Sequence, residues 1–151
     1  MKLSFLCEVH RQALTTNVTK AMRFWREGFD TAQFFNAQSL WVEAIPHAGY
    51  AFEIAQIFVI NKEIDDSVAY EWFYASTLLL ADAFNSLGYT EEAYEVMALT
   101  IERFDSELSL THVDQTLVME YLNKLHWCEH FSPHYIESKR GIYRSSVRSM
   151  H

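Results

Sequence analysis

Residues 68–84 read VAYEWFYASTLLLADAF. At about 100° per residue, a helix built from this run is apolar nearly all the way round. Glu71, Asp82 and Ser86 fall on roughly one line and leave a single narrow wet stripe. Such a helix must be packed on most sides, so residues 67–87 are expected at the middle of a domain. The rest of the chain has to supply the neighbours. It carries only four Gly and two Pro in 151 residues, half of them hydrophobic and 15% aromatic. Long segments with few turn signals and few β-branched runs argue for an all-α domain. A chain of this length buries enough surface to fold as one unit.

Seven helices are expected. The first covers residues 3–27, with weak propensity and a potential break at TTNVT, and ends at Gly28-Phe29. The second spans residues 30–45, stopped by Pro46. The third starts near Gly49-Tyr50 and ends near Asn61. Asp65, Asp66 and Ser67 offer N-caps for the fourth, and Gly88 its C′ residue. Thr90 is read as N-cap of the fifth, with Glu91 and Glu92 complementing its dipole. Thr111 and Asp114 open the sixth, which runs to about Phe131, and Ser132-Pro133 open the seventh.

Two segments resemble each other 39 residues apart: WVEAIPHAGYAFEIAQIF, from Trp41, and LADAFNSLGYTEEAYEVMALTIERF, from Leu80. Each reads as a helix end, a Gly-Tyr turn and a new helix, and recurrence at such a period is the mark of a helical array. The second segment resembles a tetratricopeptide repeat, with Ala83, Gly88, Ala93 and Met97 at the places where that family uses small or large apolar residues. The likeness covers residues 30–104. It implies antiparallel helical hairpins, stacked as a tetratricopeptide-like array or a bundle, that hold a peptide or partner helix on their surface. In the family, helix-A Lys, Arg and Asn bind C-terminal carboxylates; Asn36 and Asn85 beside Glu71 and Asp82 do not make such a clamp.

The stretch HWCEHFSPH, residues 126–134, looks most like chemistry. His126 and His130 share a helix face, while Cys128 points about 200° away and joins the stripe of Leu117, Tyr121 and Leu125. No metal is therefore expected; the alternative is a metal-binding bundle using His126 and His130, with His134 as a third ligand. Cys7 and His10 are three apart, a spacing common by chance. No nucleophile elbow, phosphate loop or dinucleotide glycine pattern occurs, and the chain is read as non-catalytic and without a cofactor.

The net charge of −8 hides an asymmetry. All 20 acidic residues lie at or before Glu137, against eight basic ones there, so the body carries −12 and the tail +4. Residues 1–137 are read as one acidic helical domain and residues 138–151 as a basic arm, docking on either the chain's own body or an acidic partner through Arg140, Arg144 and Arg148. The acidic body repels phosphates, so nucleic acid is not an expected partner; a regulator touching it through the tail is a further alternative. Two cysteines, an interrupted N-terminal apolar run and no membrane-length segment suit a cytoplasmic protein. The function expected is an adaptor or chaperone-like interaction module with a protein or peptide partner, and a homodimer is kept as an option. Trp41, Tyr50, Trp72 and Tyr74 are the groove candidates.

Overall fold

The computed structural model describes residues 3–127. They form six helices and, among the described residues, no strand: α1 (Glu8–Thr16), α2 (Val18–Ala37), α3 (Trp41–Asn61), α4 (Asp66–Ser86), α5 (Thr90–Leu108) and α6 (Gln115–His126). No helix is long and apolar enough to cross a membrane among these residues. The seventh expected helix and the 137/138 domain boundary lie outside the described residues; α6 ends at His126 with Trp127 as its C-cap, short of the end expected near Phe131.

The break at TTNVT is real. Asn17 is extended, and its Oδ1 accepts the Lys20 backbone N–H at 3.0 Å, so the weak helix former becomes the N-cap of α2. Three other expected boundaries are corrected. Gly28 and Phe29 do not end a helix; they lie inside α2. Gly28 is small because α3 passes close by: a Cβ there would sit 3.3 Å from the His47 carbonyl oxygen and 3.4 Å from the Tyr50 ring.

Pro46 does not stop the second helix either. It is the sixth residue of α3, where its missing N–H deprives only the Val42 carbonyl, in an exposed first turn that water can serve. Gly49-Tyr50, expected at a turn, is mid-helix.

The true α2–α3 turn carries no glycine. Ser39 adopts φ +59°, Leu40 N–H donates to Phe35 C=O at 2.9 Å, and Ser39 N–H donates to Asn36 C=O at 3.0 Å. That is a Schellman ending. The α4–α5 turn repeats it with Gly88 at φ +82°, as expected for the C′ residue: Tyr89 N–H donates to Phe84 C=O at 2.8 Å and Gly88 N–H to Asn85 C=O at 3.0 Å.

Asp65 caps α4 by accepting from the Ser67 N–H and hydroxyl, and these bonds hold its carboxyl below the ordinary range. The caps of α5 and α6 differ from those expected: Tyr89 precedes α5 without a side-chain cap bond, and Asp114, not Thr111, accepts from Leu117 N–H.

Consecutive helices joined by short turns pack along their lengths from α2 to α6. In addition α2 lies beside α4 and α4 beside α6, whereas α3 and α5 are not packed on one another. As the sequence demands, α4 is central, packed against α2, α3, α5 and α6. Helix α3 is equally apolar, and buries Ala48, Phe52, Ile54, Ala55, Phe58 and Val59.

Aromatic rings join neighbouring helices. Trp25 of α2 stacks on Trp72 of α4 with centroids 4.1 Å apart and planes 4° apart, and its Nε1–H donates to Ser76 Oγ at 2.9 Å. Phe104 of α5 stacks on Tyr121 of α6 at 5.4 Å.

Candidate functional site

The four groove candidates do not converge. Trp72 and Tyr74, two apart on α4, face opposite ways. Trp72 is committed to Trp25 and meets Phe58 edge-on, while Tyr74 meets the Tyr121 ring at 5.5 Å with the Lys124 ammonium 5.6 Å from its centroid. Nine residues separate Trp41 from Tyr50 on α3, about half a turn out of phase. Tyr50 packs edge-on against Phe24 at 6.5 Å, and burial, then the Glu27 charge, raise its phenol above the ordinary value. Trp41 is half-buried in the first turn of α3.

The candidate metal ligands are only partly described. His126 is the exposed last residue of α6; His130, His134 and Cys128 lie outside the described residues, as do Arg140, Arg144 and Arg148. Among the described residues no group of three His, Cys, Asp or Glu side chains could hold a metal ion. The spacing of Cys7 and His10 has a structural explanation. Cys7 is the N-cap of α1, and its Sγ accepts the backbone N–H of His10 at 3.5 Å.

Two polar sites went unnoticed in the sequence. The first is built on Glu53, the only acid in AFEIAQIFVI, and 6% exposed in the apolar middle of α3. Burying a carboxylate requires several hydrogen bonds. Glu53 gets them from the segment before α1: Phe5 N–H donates to Oε1 at 2.5 Å and Leu6 N–H to Oε2 at 2.9 Å. Arg11 of α1 adds its guanidinium at 3.1 Å from Oε2. Residues 3–7 thus form a non-helical strap across α3, bent at Leu6. Leu6 is 4% exposed, and the Phe5 ring lies so close to Gly49 that a Cβ there would overlap it. An isolated acid in an otherwise unbroken apolar run was the available signal.

The second site ties the end of α3 to α4 and α5. Lys62 ends α3 in the left-handed conformation at φ +58°. Its ammonium pairs with Glu107, itself 3% exposed, donates to Asp66 at 3.1 Å, and sits 5.4 Å from the Tyr70 ring centroid. Tyr70 O–H also donates to Glu107, at 3.1 Å. Burial, reinforced by Glu107 and Asp66, pushes the Tyr70 phenol far above its ordinary value. On the α4–α6 seam Tyr121 O–H donates to Glu71 at 2.6 Å; burial first, then this bond, raises its phenol likewise.

Glu53 is engaged by two backbone amides and the Arg11 guanidinium, and Glu107 by the Lys62 ammonium and the Tyr70 hydroxyl. The geometry brings together a buried carboxylate that grips two successive backbone amides and a glycine that seats an aromatic ring.

The clefts on either side of the strap are open. One, of about 550 Å³, is lined by Phe52, Gln56, Glu95 and Leu99 together with the strap; the other, of about 500 Å³, by Ile45, Phe84, Tyr89 and Glu92.

Comparison of the chain with protein-family models, with curated proteins and with solved structures finds no significant match in any of the three.

Proposed function

We propose that this chain is a non-catalytic interaction module that holds a peptide or partner helix on the surface of a stacked helical array, as the tetratricopeptide-like reading implies. One observation carries the proposal: α4 packs on both α2 and α6 while α3 and α5 are not packed on one another, the contact pattern expected of a row α2, α4, α6 with α3 and α5 behind it. Stacked hairpins of this kind grow as a row of like-facing helices, and rows of like-facing helices make extended binding surfaces. Tyr74 and Lys124 project on the α4–α6 part of that row, and Tyr50 and Trp41 keep half-exposed rings on α3. Tyr74 and Lys124 are the contacts on which the reading relies, with Trp72 holding α4 in place; Trp41 and Tyr50, on α3, lie outside this surface. An acidic body of −12 favours basic or apolar partner segments.

The test is affinity capture with the tagged full chain at low and high salt, followed by identification and stoichiometry of the retained protein and by metal analysis of the eluate. A stoichiometric protein partner retained at high salt, and lost when Tyr74 and Lys124 are both changed to Ala, supports the reading. Near-unit zinc or iron abolished by His126→Ala, with no protein partner, sinks it in favour of the metal-binding alternative. Nucleic acid retained only at low salt, and lost with residues 139–151, sinks it in favour of the regulator.

A further inference from the structure

The cleft between α3 and α5 already contains a peptide-like occupant. Residues 3–6 run through it as a non-helical segment bent at Leu6, with Phe5 seated on Gly49, Leu6 buried and both amides on Glu53. This occupant does not fill its site. Leu3 and Ser4 border both flanking cavities, so open volume remains on either side of the strap. The helix that follows it is lightly anchored. The short α1 that follows has Leu14 as its buried residue, and the Arg11 side chain that joins Glu53 is 42% exposed. Elements with few buried contacts open at low free energy.

The groove specifies what fits it. Its carboxylate needs two successive backbone N–H donors. In mid-helix those donors are committed to carbonyls four residues back, so the occupant is extended rather than helical. Gly49 takes a flat ring, and the next position takes a buried aliphatic side chain. The flanking cavities reward a segment bulkier than Leu3-Ser4 around the same pair.

We infer that the α3–α5 cleft is a docking groove for an extended partner segment carrying an aromatic–aliphatic pair, and that residues 3–6 are its intramolecular competitor. This rests on the interaction-module reading and names its site and ligand class. The strap lowers the apparent affinity for the partner by the fraction of time it stays seated.

The probe is a dye-labelled peptide of residues 3–10 with Ser in place of Cys7, titrated by fluorescence anisotropy into full-length chains. The Phe5→Ala chain, whose own strap has lost its ring, binds the peptide at least about tenfold tighter than the wild type. The Phe5→Ala/Gly49→Leu chain, in which the seat is filled by a side chain that no longer meets Phe5, does not bind it. In the wild-type chain, saturating peptide accelerates amide hydrogen exchange at Phe5 and Leu6; this measurement decides the matter alone if Phe5→Ala does not fold.

Absence of saturable binding to a folded Phe5→Ala chain, binding that survives Gly49→Leu, or unchanged exchange at Phe5 and Leu6 overturns the inference. A wild-type dimer that the peptide dissociates also overturns it, because the groove then belongs to a second copy of this chain. A captured partner retained equally by the wild-type and the Phe5→Ala/Gly49→Leu chains removes the groove while leaving the interaction-module reading intact.

Discussion

Gly49-Tyr50 and Gly88-Tyr89 are the same dipeptide with opposite reasons for their glycine. At Gly88 the backbone needs it: φ is +82°, and a Cβ would meet nothing within 4 Å. At Gly49 the backbone is ordinary helix, and it is space that forbids a side chain, because Phe5 lies where the Cβ would be. One glycine is chosen by its own torsions, the other by a residue 44 positions earlier in the chain. Local sequence can reveal the first kind and has no access to the second.

Four experiments break or sharpen this contrast. The largest effect is expected at Gly49. Gly49→Ala should lower stability by about 1–3 kcal/mol, the range for forcing extra volume into a packed contact. In a Phe5→Ala background the sign should reverse, with Ala ahead by up to about 1 kcal/mol on helix propensity alone. Urea unfolding of the four chains of this cycle checks it, and additivity of the two changes would refute the account.

Gly88→Ala should cost about 1–2 kcal/mol, the usual penalty for a Cβ in the left-handed region. The same unfolding assay should return an equal loss in the wild-type and the Phe5→Ala backgrounds. Ser39 occupies the equivalent turn position without being glycine, so Ser39→Gly should raise the unfolding midpoint, by about 0.5 kcal/mol after the added freedom of the unfolded chain is subtracted.

The fourth effect vanishes at neutral pH. Tyr70 and Tyr121 have phenol pKa values raised above the ordinary value by burial. Above about pH 10 the unfolded chain loses these protons while the folded one keeps them, so stability falls as pH rises. Unfolding midpoints between about pH 8 and 11 should decline less steeply in Tyr121→Phe, and neither glycine variant should alter the slope.

Much of the architecture was legible where the cause is local. The apolar run around Trp72 announced a central helix, Gly88 announced its turn, and the weak TTNVT patch announced the break at Asn17. The errors occurred where a usual marker had another cause. Pro46 sits early enough in α3 that the carbonyl it leaves without its helical partner belongs to the exposed Val42, and Gly28 and Gly49 mark close approach rather than a stop. The α2–α3 turn was hidden because Ser39 adopts a backbone more often given to glycine. The candidate site was hardly legible. Trp72 announced itself by size and proved to be half of a stacked pair. Glu53 announced itself only by being an acid among apolar neighbours, and its partners come from a segment 47 and 48 residues away.

The stacked pair of Trp25 and Trp72 has a practical consequence. Two indoles in parallel contact form a built-in optical gauge of the spacing between α2 and α4. Trp25 is 5% exposed and Trp72 half-buried, so the pair should emit to the blue of Trp127, which is 84% exposed. A ligand that spreads the row of α2, α4 and α6 should therefore shift the blue part of the intrinsic fluorescence. One that only lifts the strap off α3 should leave it unchanged, so the unlabelled chain reports which of its two surfaces has been engaged.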